Sequence, residues 1–266
     1  MEYKDLASVE KENDILGQLW EIRQDWLNKL DAWHPIQFYD LNIGEMELEA
    51  IDVKSAIEKI EQSFKEVKQW PLTDSMKIEL KNFLETLPLL DSNMGLSQKA
   101  IVERHWRDLR IELKAGNFDE NSPEFNLEMI LSLDLLSHRE YIEELCEHAK
   151  KQMAIRVSID QIKHSWEQDP MTELKLQKKP SASDPQEIYV TVVSTEEIMA
   201  LIEDHSNMLA RHKSSPYYRE FSEDIDMWET NIATMTENLE MLMQVQSMWQ
   251  YLECIFMGQQ DIQLLL

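Results

Sequence analysis

From Phe221 to Phe256 a large apolar residue returns at every third or fourth position: Phe221, Ile225, Trp228, Ile232, Met235, Leu239, Leu242, Val245, Trp249, Leu252 and Phe256. Those steps follow the 3.6-residue turn of an α-helix, and no glycine or proline interrupts them. At 1.5 Å per residue the run predicts a helix on the order of 50 Å long, well beyond the usual globular length. A continuous apolar stripe is not stable against water by itself, so it is expected to pack along other helices over its whole length. Alanine at Trp228 or Trp249 should then cost roughly 3–5 kcal/mol, as large core truncations do.

The rest of the chain reads as shorter helices of the same kind. Ile22, Trp26, Leu30 and Trp33 form a stripe that Pro35 should stop. Val53, Ile57, Ile60, Phe64 and Val67 form another, expected to end at Trp70-Pro71 because the residue before proline is pushed out of helical geometry. Thr73 or Asp74 can cap a third helix, closed by Pro88, and Ser97 a fourth carrying Ile101, His105, Trp106 and Leu109. Ser122-Pro123 reads as N-cap and first helical residue for Leu127, Ile130 and Leu133. A long helix follows from about Ser137 to Glu167. The period then switches to two in Leu174 and Leu176, and again in Ile188, Val190 and Val192, around the loop-like stretch Lys179–Pro185, which predicts a β-hairpin. Ser194 and Glu197 have capping-box spacing, and Ser215-Pro216 repeats the helix-start signal. The expected fold class is all-α, with elongated helical bundles, one inserted β-hairpin and a long C-terminal heptad-patterned helix. Three segments are expected: residues 1–95, 96–193 and 194–266.

Composition narrows the chemistry. The 51 acidic residues against 26 basic ones leave a formal charge of -25, which repels nucleic acid and anionic lipid. No apolar stretch of about 18 residues could span a bilayer, and Met1–Glu12 lacks the basic start and apolar middle of a signal peptide. The five glycines, Gly17, Gly44, Gly95, Gly116 and Gly258, are too widely spaced for a P-loop or a dinucleotide fingerprint. No HExxH, no glutamate three residues before a histidine and no GxSxG elbow occurs. No catalytic, cofactor-binding or metal-ligating residue is therefore assigned. His34, His105, His138, His148, His164, His205 and His212 read as scattered surface and interface residues, and Cys146 and Cys254 as buried thiols. The eight tryptophans read as anchors of separate helix crossings, and the methionines as seam and gap-filling residues. The closing run Asp261–Leu266 is apolar and carries no cap, which suggests a fragment whose next segment is missing.

The last helix carries a resemblance. Ser215-Pro216-Tyr217-Tyr218, Phe221, Met227-Trp228-Glu229, the run Val245–Phe256 and Asp261-Ile262 together resemble the start of the linker in dynein heavy chains. Arg104-His105-Trp106 with Leu109, and Trp33 with Phe38 and Asp40-Leu41, resemble elements of the same family upstream. The chain departs from the pattern at Leu265-Leu266, where Leu-Pro is expected. The wording of several segments is more similar to axonemal than to cytoplasmic heavy chains.

That resemblance implies a non-catalytic tail-to-linker segment that transmits force in an ATP-driven, minus-end-directed microtubule motor of cilia or flagella. ATP and magnesium would belong to a ring of AAA+ modules elsewhere in the parent chain. The implied partners are that ring, dynein intermediate and light chains, other heavy chains and, indirectly, microtubules, with no nucleic acid and no membrane. The implied place is the cytoskeleton, in the axoneme of a cilium. A free-standing helical adaptor or scaffold of spectrin-like type is the alternative, and an unrecognised helical hydrolase ranks third.

Overall fold

A computed structural model describes residues 4–64, 67, 70–114, 118–168, 172–180, 186 and 188–258 of the 266, without the side chains of 4–8 and 254–258. The described residues form eight α-helices: α1 (Lys4–Trp33), α2 (Ile43–Ser63), α3 (Pro71–Leu90), α4 (Glu103–Leu113), α5 (Leu127–Ser132), α6 (Arg139–Gln168), α7 (Glu196–Lys213) and α8 (Tyr218–Gly258). One two-stranded antiparallel hairpin, β1 (Leu176–Pro180) with β2 (Ile188–Val192), lies between α6 and α7, paired in the register Leu176–Val192 to Pro180–Ile188. The all-α class with one inserted hairpin is thus the observed architecture. No described helix is long and apolar enough to cross a membrane.

The chain divides into two compact units, residues 1–150 and 151–266. The positions 95/96 and 193/194, where segments were expected to meet, both fall inside a unit. Continuous cores explain the difference. One runs from Trp26 to Cys146 and the other from Ile155 to Ile232.

The first unit is organised around aromatic rings. Phe38 meets Trp106 and Phe125 edge-on at 5.6 and 5.3 Å, and Phe118 stacks on Phe125 at 5.2 Å. Extended backbone holds them there: Phe38 N–H donates to Phe125 O at 3.0 Å, and Leu127 N–H to Ile36 O at 3.1 Å. Trp26, fully buried, packs edge-on to Phe83 at 5.2 Å and donates its indole N–H to Glu79 at 2.9 Å. Arg110 donates Nε–H to Phe118 O at 2.8 Å, bonds Glu103 at 3.0 Å and pairs with the buried Glu120. Burial pushes the Glu120 carboxyl up from its ordinary value. Cys146 is buried as expected, its thiol pushed up to about 11 by desolvation, whereas the Cys254 side chain lies outside the described residues.

Several helix ends depart from the sequence expectation, each for a local reason. Pro71 opens α3 as its first residue, where its missing amide has no helical partner to lose. Thr73 and Asp74 therefore fall in the first turn, both donating backbone N–H to Trp70 O. Pro88 lies inside the last turn and α3 continues to Leu90. Ser97 is not a cap: α4 begins at Glu103, and the imidazole of His105 reaches back to accept Val102 N–H at 3.0 Å. Gly95 sits in the turn before it because a Cβ there would lie 2.4 Å from Leu89 O. Ser122-Pro123 forms a turn rather than a helix start, because the pairing with Gln37 extends the chain to Asn126. Asn126 then caps α5 by accepting Met129 N–H at 3.0 Å. The Ser194–Glu197 capping box does not form; Ser194 accepts Glu196 N–H, and Glu197 is held by Lys175 at 2.6 Å. Ser215-Pro216 is the turn before α8, which begins at Tyr218.

The second unit packs α7 and the first half of α8 onto the later part of α6. Ile155, Ile159 and Ile162 meet Ile198, Ile202 and Leu209, and both sets meet Phe221, Ile225, Trp228 and Ile232. Arg156 bonds Asp224 at 3.0 Å and lies over the Phe221 ring at 5.1 Å. Trp166 donates its indole N–H to Nδ1 of His205 at 3.0 Å. His105 and His205 are both buried within their units.

Of the stripe that defines α8, only the first part is covered. Trp228 is buried at 9% exposure, but Trp249 is 54% exposed, as is Trp20 at 55%, so the tryptophans are not uniformly core anchors. In this chain Trp228→Ala should cost about 3 kcal/mol and Trp249→Ala less than about 1 kcal/mol, read by urea unfolding. His205 supplies a second expectation. Burial lowers its pKa, with Asp204 opposing, so its neutral form is the native one. Its contribution to stability is complete above the unfolded value near 6.5 and is lost as pH falls through the lower folded value. Stability should therefore decline as pH falls below about 6.5, and His205→Gln, which can still accept from Trp166, should flatten that decline.

Candidate functional site

The length of α8 creates the site. It has 41 residues against 18 in α7, so a partner of about 27 Å lies beside a helix of about 60 Å. Coverage ends near Leu239. Beyond it Met241, Leu242, Val245, Met248, Trp249 and Leu252 share one apolar side of the helix and stand open, Val245 at 58% exposure. Where the stripe leaves the core, Trp166, Leu174, Ile198, Met235, Leu239 and Leu242 line a groove of about 410 Å³. An uninterrupted apolar surface of this kind marks an interaction site rather than scattered surface residues. Phe256, the last member of the predicted stripe, lies outside the described side chains.

One flank of this distal half is covered by the hairpin. The pairing of Val193 N–H with Lys175 O at 2.8 Å sets the alternation, so that Leu176 and Val192 point their backbone groups away from each other. Val192 would be left with an unpaired donor and acceptor. Gln246 supplies both partners: its Oε1 accepts Val192 N–H at 2.7 Å, and its Nε2 donates to Val192 O at 2.9 Å. The side-chain amide imitates a neighbouring strand. About two helical turns further on, Tyr189 donates its hydroxyl to the buried carboxylate of Glu253 at 2.9 Å. Val192 and Thr191 are buried in consequence. At the opposite end of α8, Tyr218 donates to Asp226 at 2.7 Å and Lys213 bonds Glu229 and Asp226, tying the α7–α8 turn to the helix.

Spacing alone could not have assigned Gln246 this task, since the bond depends on which β2 edge faces the helix. The sequence signal was indirect: Gln246 stands within the run Val245–Phe256 that carries the dynein resemblance. Among the described residues no three of His, Cys, Asp and Glu converge as metal ligands.

A half-covered helical strut braced by a hairpin defines a helical segment with an open apolar surface. Residues 6–266 match the family described as "Dynein heavy chain, N-terminal region 2", and the chain belongs to that family. The Dynein-1-beta heavy chain of the flagellar inner arm I1 complex of Chlamydomonas reinhardtii is 32% identical over 263 residues, 98% of this chain and 5% of that protein. Dynein axonemal heavy chain 2 of Homo sapiens is 32% identical over 256 residues, 96% of this chain and 6% of that one. The Dynein gamma chain of the flagellar outer arm of Chlamydomonas reinhardtii is 26% identical over 261 residues, again 97% against 6%. The chain thus spans only 5–6% of the length of these relatives. Membership of this family does not favour the free-standing adaptor.

Loss of the Gln246 amide has a local signature. Gln246→Ala should leave the outward groups of Val192 unpaired, cost about 1–3 kcal/mol, and speed hydrogen exchange at the Val192 amide at least tenfold. Exchange at Ile225 and Ile232, in the proximal seam, should not change.

Proposed function

We propose that this chain is a non-catalytic, force-transmitting tail-to-linker segment of an axonemal dynein heavy chain. The observation that carries the reading is α8: its first half is locked into a core while its second half presents an uncovered apolar stripe. Such a helix is suited to receive further helices of the same heavy chain along Leu242, Val245, Trp249 and Leu252, and so to pass a displacement from them into the packed unit. Its stiffness follows from an unbroken backbone ladder with no glycine or proline between Tyr218 and Met257.

On this reading ATP hydrolysis, with its magnesium, belongs to an AAA+ ring in the parent chain, and the present residues act on it mechanically. The partners are that ring, the intermediate and light chains, other heavy chains and, through them, the microtubule. The setting is the axoneme, in an inner or outer arm. Matches to heavy chains of both arms support the axonemal class and do not choose between arms.

The test is to soften the strut where its cover ends. Three glycines inserted after Glu240 in a full heavy chain should leave the ATPase rate within about twofold while microtubule gliding slows at least threefold, because glycine destabilises a helix interior by about 1 kcal/mol each. Unchanged gliding at unchanged ATPase would overturn the reading.

A further inference from the structure

The two edges of the hairpin are treated differently. The outer edge of β2 is closed at Val192 by the Gln246 amide and lies beside α8, where Tyr189 bonds Glu253. The outer edge of β1 has no such closure. By the alternation set at Lys175, the N–H and C=O groups of Leu176 and Lys178 point outward, and among the described residues no backbone or side-chain group bonds them. An edge of this kind is a template for another strand.

Its charge is unusual for this chain. Lys175 is taken by Glu197 at 2.6 Å, but among the described residues neither Lys178 nor Lys179 is ion-paired, although the chain has 51 acidic side chains. The face shared by Leu176, Lys178, Ile188 and Val190 is exposed, with Leu176 at 62%. It therefore offers a cation flanked by apolar side chains in alternation with the backbone groups. A second copy of the chain does not suit this edge, since edge-to-edge pairing would bring Lys178 and Lys179 against the same lysines. A strand alternating acidic and β-branched residues suits it, because its acids meet Lys178 at contact distance while the long-range repulsion from the chain's charge of -25 is screened at physiological salt.

We propose that the outer edge of β1 is a docking site for an extended acidic segment of a partner polypeptide, which adds as a third strand beside Leu176 and Lys178. The segment is short, because β1 offers about 17 Å of edge. Pro180 ends the site, since it has no N–H to donate. The inference rests on the hairpin alone and holds whether or not the strut transmits force.

The test uses the 266-residue chain and a fluorescein-labelled eight-residue peptide alternating glutamate and valine, followed by anisotropy. A counterpart with lysine in place of glutamate is the comparison. Binding of the acidic peptide, at least tenfold tighter than the lysine peptide and weakened by salt, is expected. Lys178→Glu should weaken it at least tenfold. Leu176→Pro, which removes one outward N–H without altering charge or the bonds to β2, should weaken it at least fivefold. Protection of the Thr191 and Val192 amides in each variant verifies that the hairpin is still folded. Binding lost in Lys178→Glu but unchanged in Leu176→Pro would mean attraction by charge alone and would overturn strand addition. Equal affinity for both peptides, or none for either, would overturn it as well, leaving the lysines as guards against aggregation.

Discussion

Everything in the second unit depends on the seam where Phe221, Ile225, Trp228 and Ile232 meet the isoleucines of α6 and α7. That seam fixes the direction of α8 for its first few turns, and helix cooperativity carries the direction onward. Each further residue adds one backbone bond to a nucleus already formed, so extension past the last tertiary contact costs little. A helix nucleated in this way can project beyond its support, which an isolated helix of equal length would do only weakly. The arrangement separates two tasks along one element, anchorage in the first half and presentation in the second.

The hairpin addresses a different problem. A two-stranded ribbon is marginal in water and has two edges with unpaired backbone groups. Here β2 is stabilised by a borrowed partner: the carboxamide of Gln246 presents an N–H donor beside a carbonyl acceptor, as a neighbouring strand would. Glutamate could accept but not donate, and leucine could do neither. The Tyr189–Glu253 bond adds a second fixed point on the same helix, so the ribbon is held at two places along α8. Motion of the distal helix would therefore move the hairpin, and any strand added to β1 would move with both.

Much of this was legible in the sequence, and the limits have physical causes. Period fixed the existence of the long helices and of the hairpin, because burial of one face imposes 3.6 or 2 on any chain. Caps were less legible. Serine at 97, 122, 194 and 215 offered a cap each time, yet at each position tertiary contacts or backbone pairing chose a different start. At α4 the cap is a histidine acting backwards from the third helical residue, which no serine-based pattern reveals. His205 is similar, since its acceptor role depends on Trp166, 39 positions earlier. The tail-to-linker resemblance pointed to the right family through a motif whose structural content, the Gln246 clamp, is visible only once β2 lies beside the helix.

The distal stripe shows most clearly why sequence and structure answer different questions. Leu242 and Trp249 stand two and three heptads after Trp228, so the seven-residue repeat assigns all three to one side of the helix. Whether that face is dry depends on the length of the neighbours, and α7 ends too soon. An exposed apolar surface of this extent would promote self-association in a neutral protein. A charge of -25 opposes it, because copies of the chain repel one another before their stripes can meet. The acidic composition thus does for the uncovered stripe what Lys178 and Lys179 do for the outer edge of β1: it disfavours the identical partner and leaves the surface available to a different one. In both places a repulsive element selects the partner, while the attractive element, apolar area in one case and backbone hydrogen bonds in the other, is indifferent to identity.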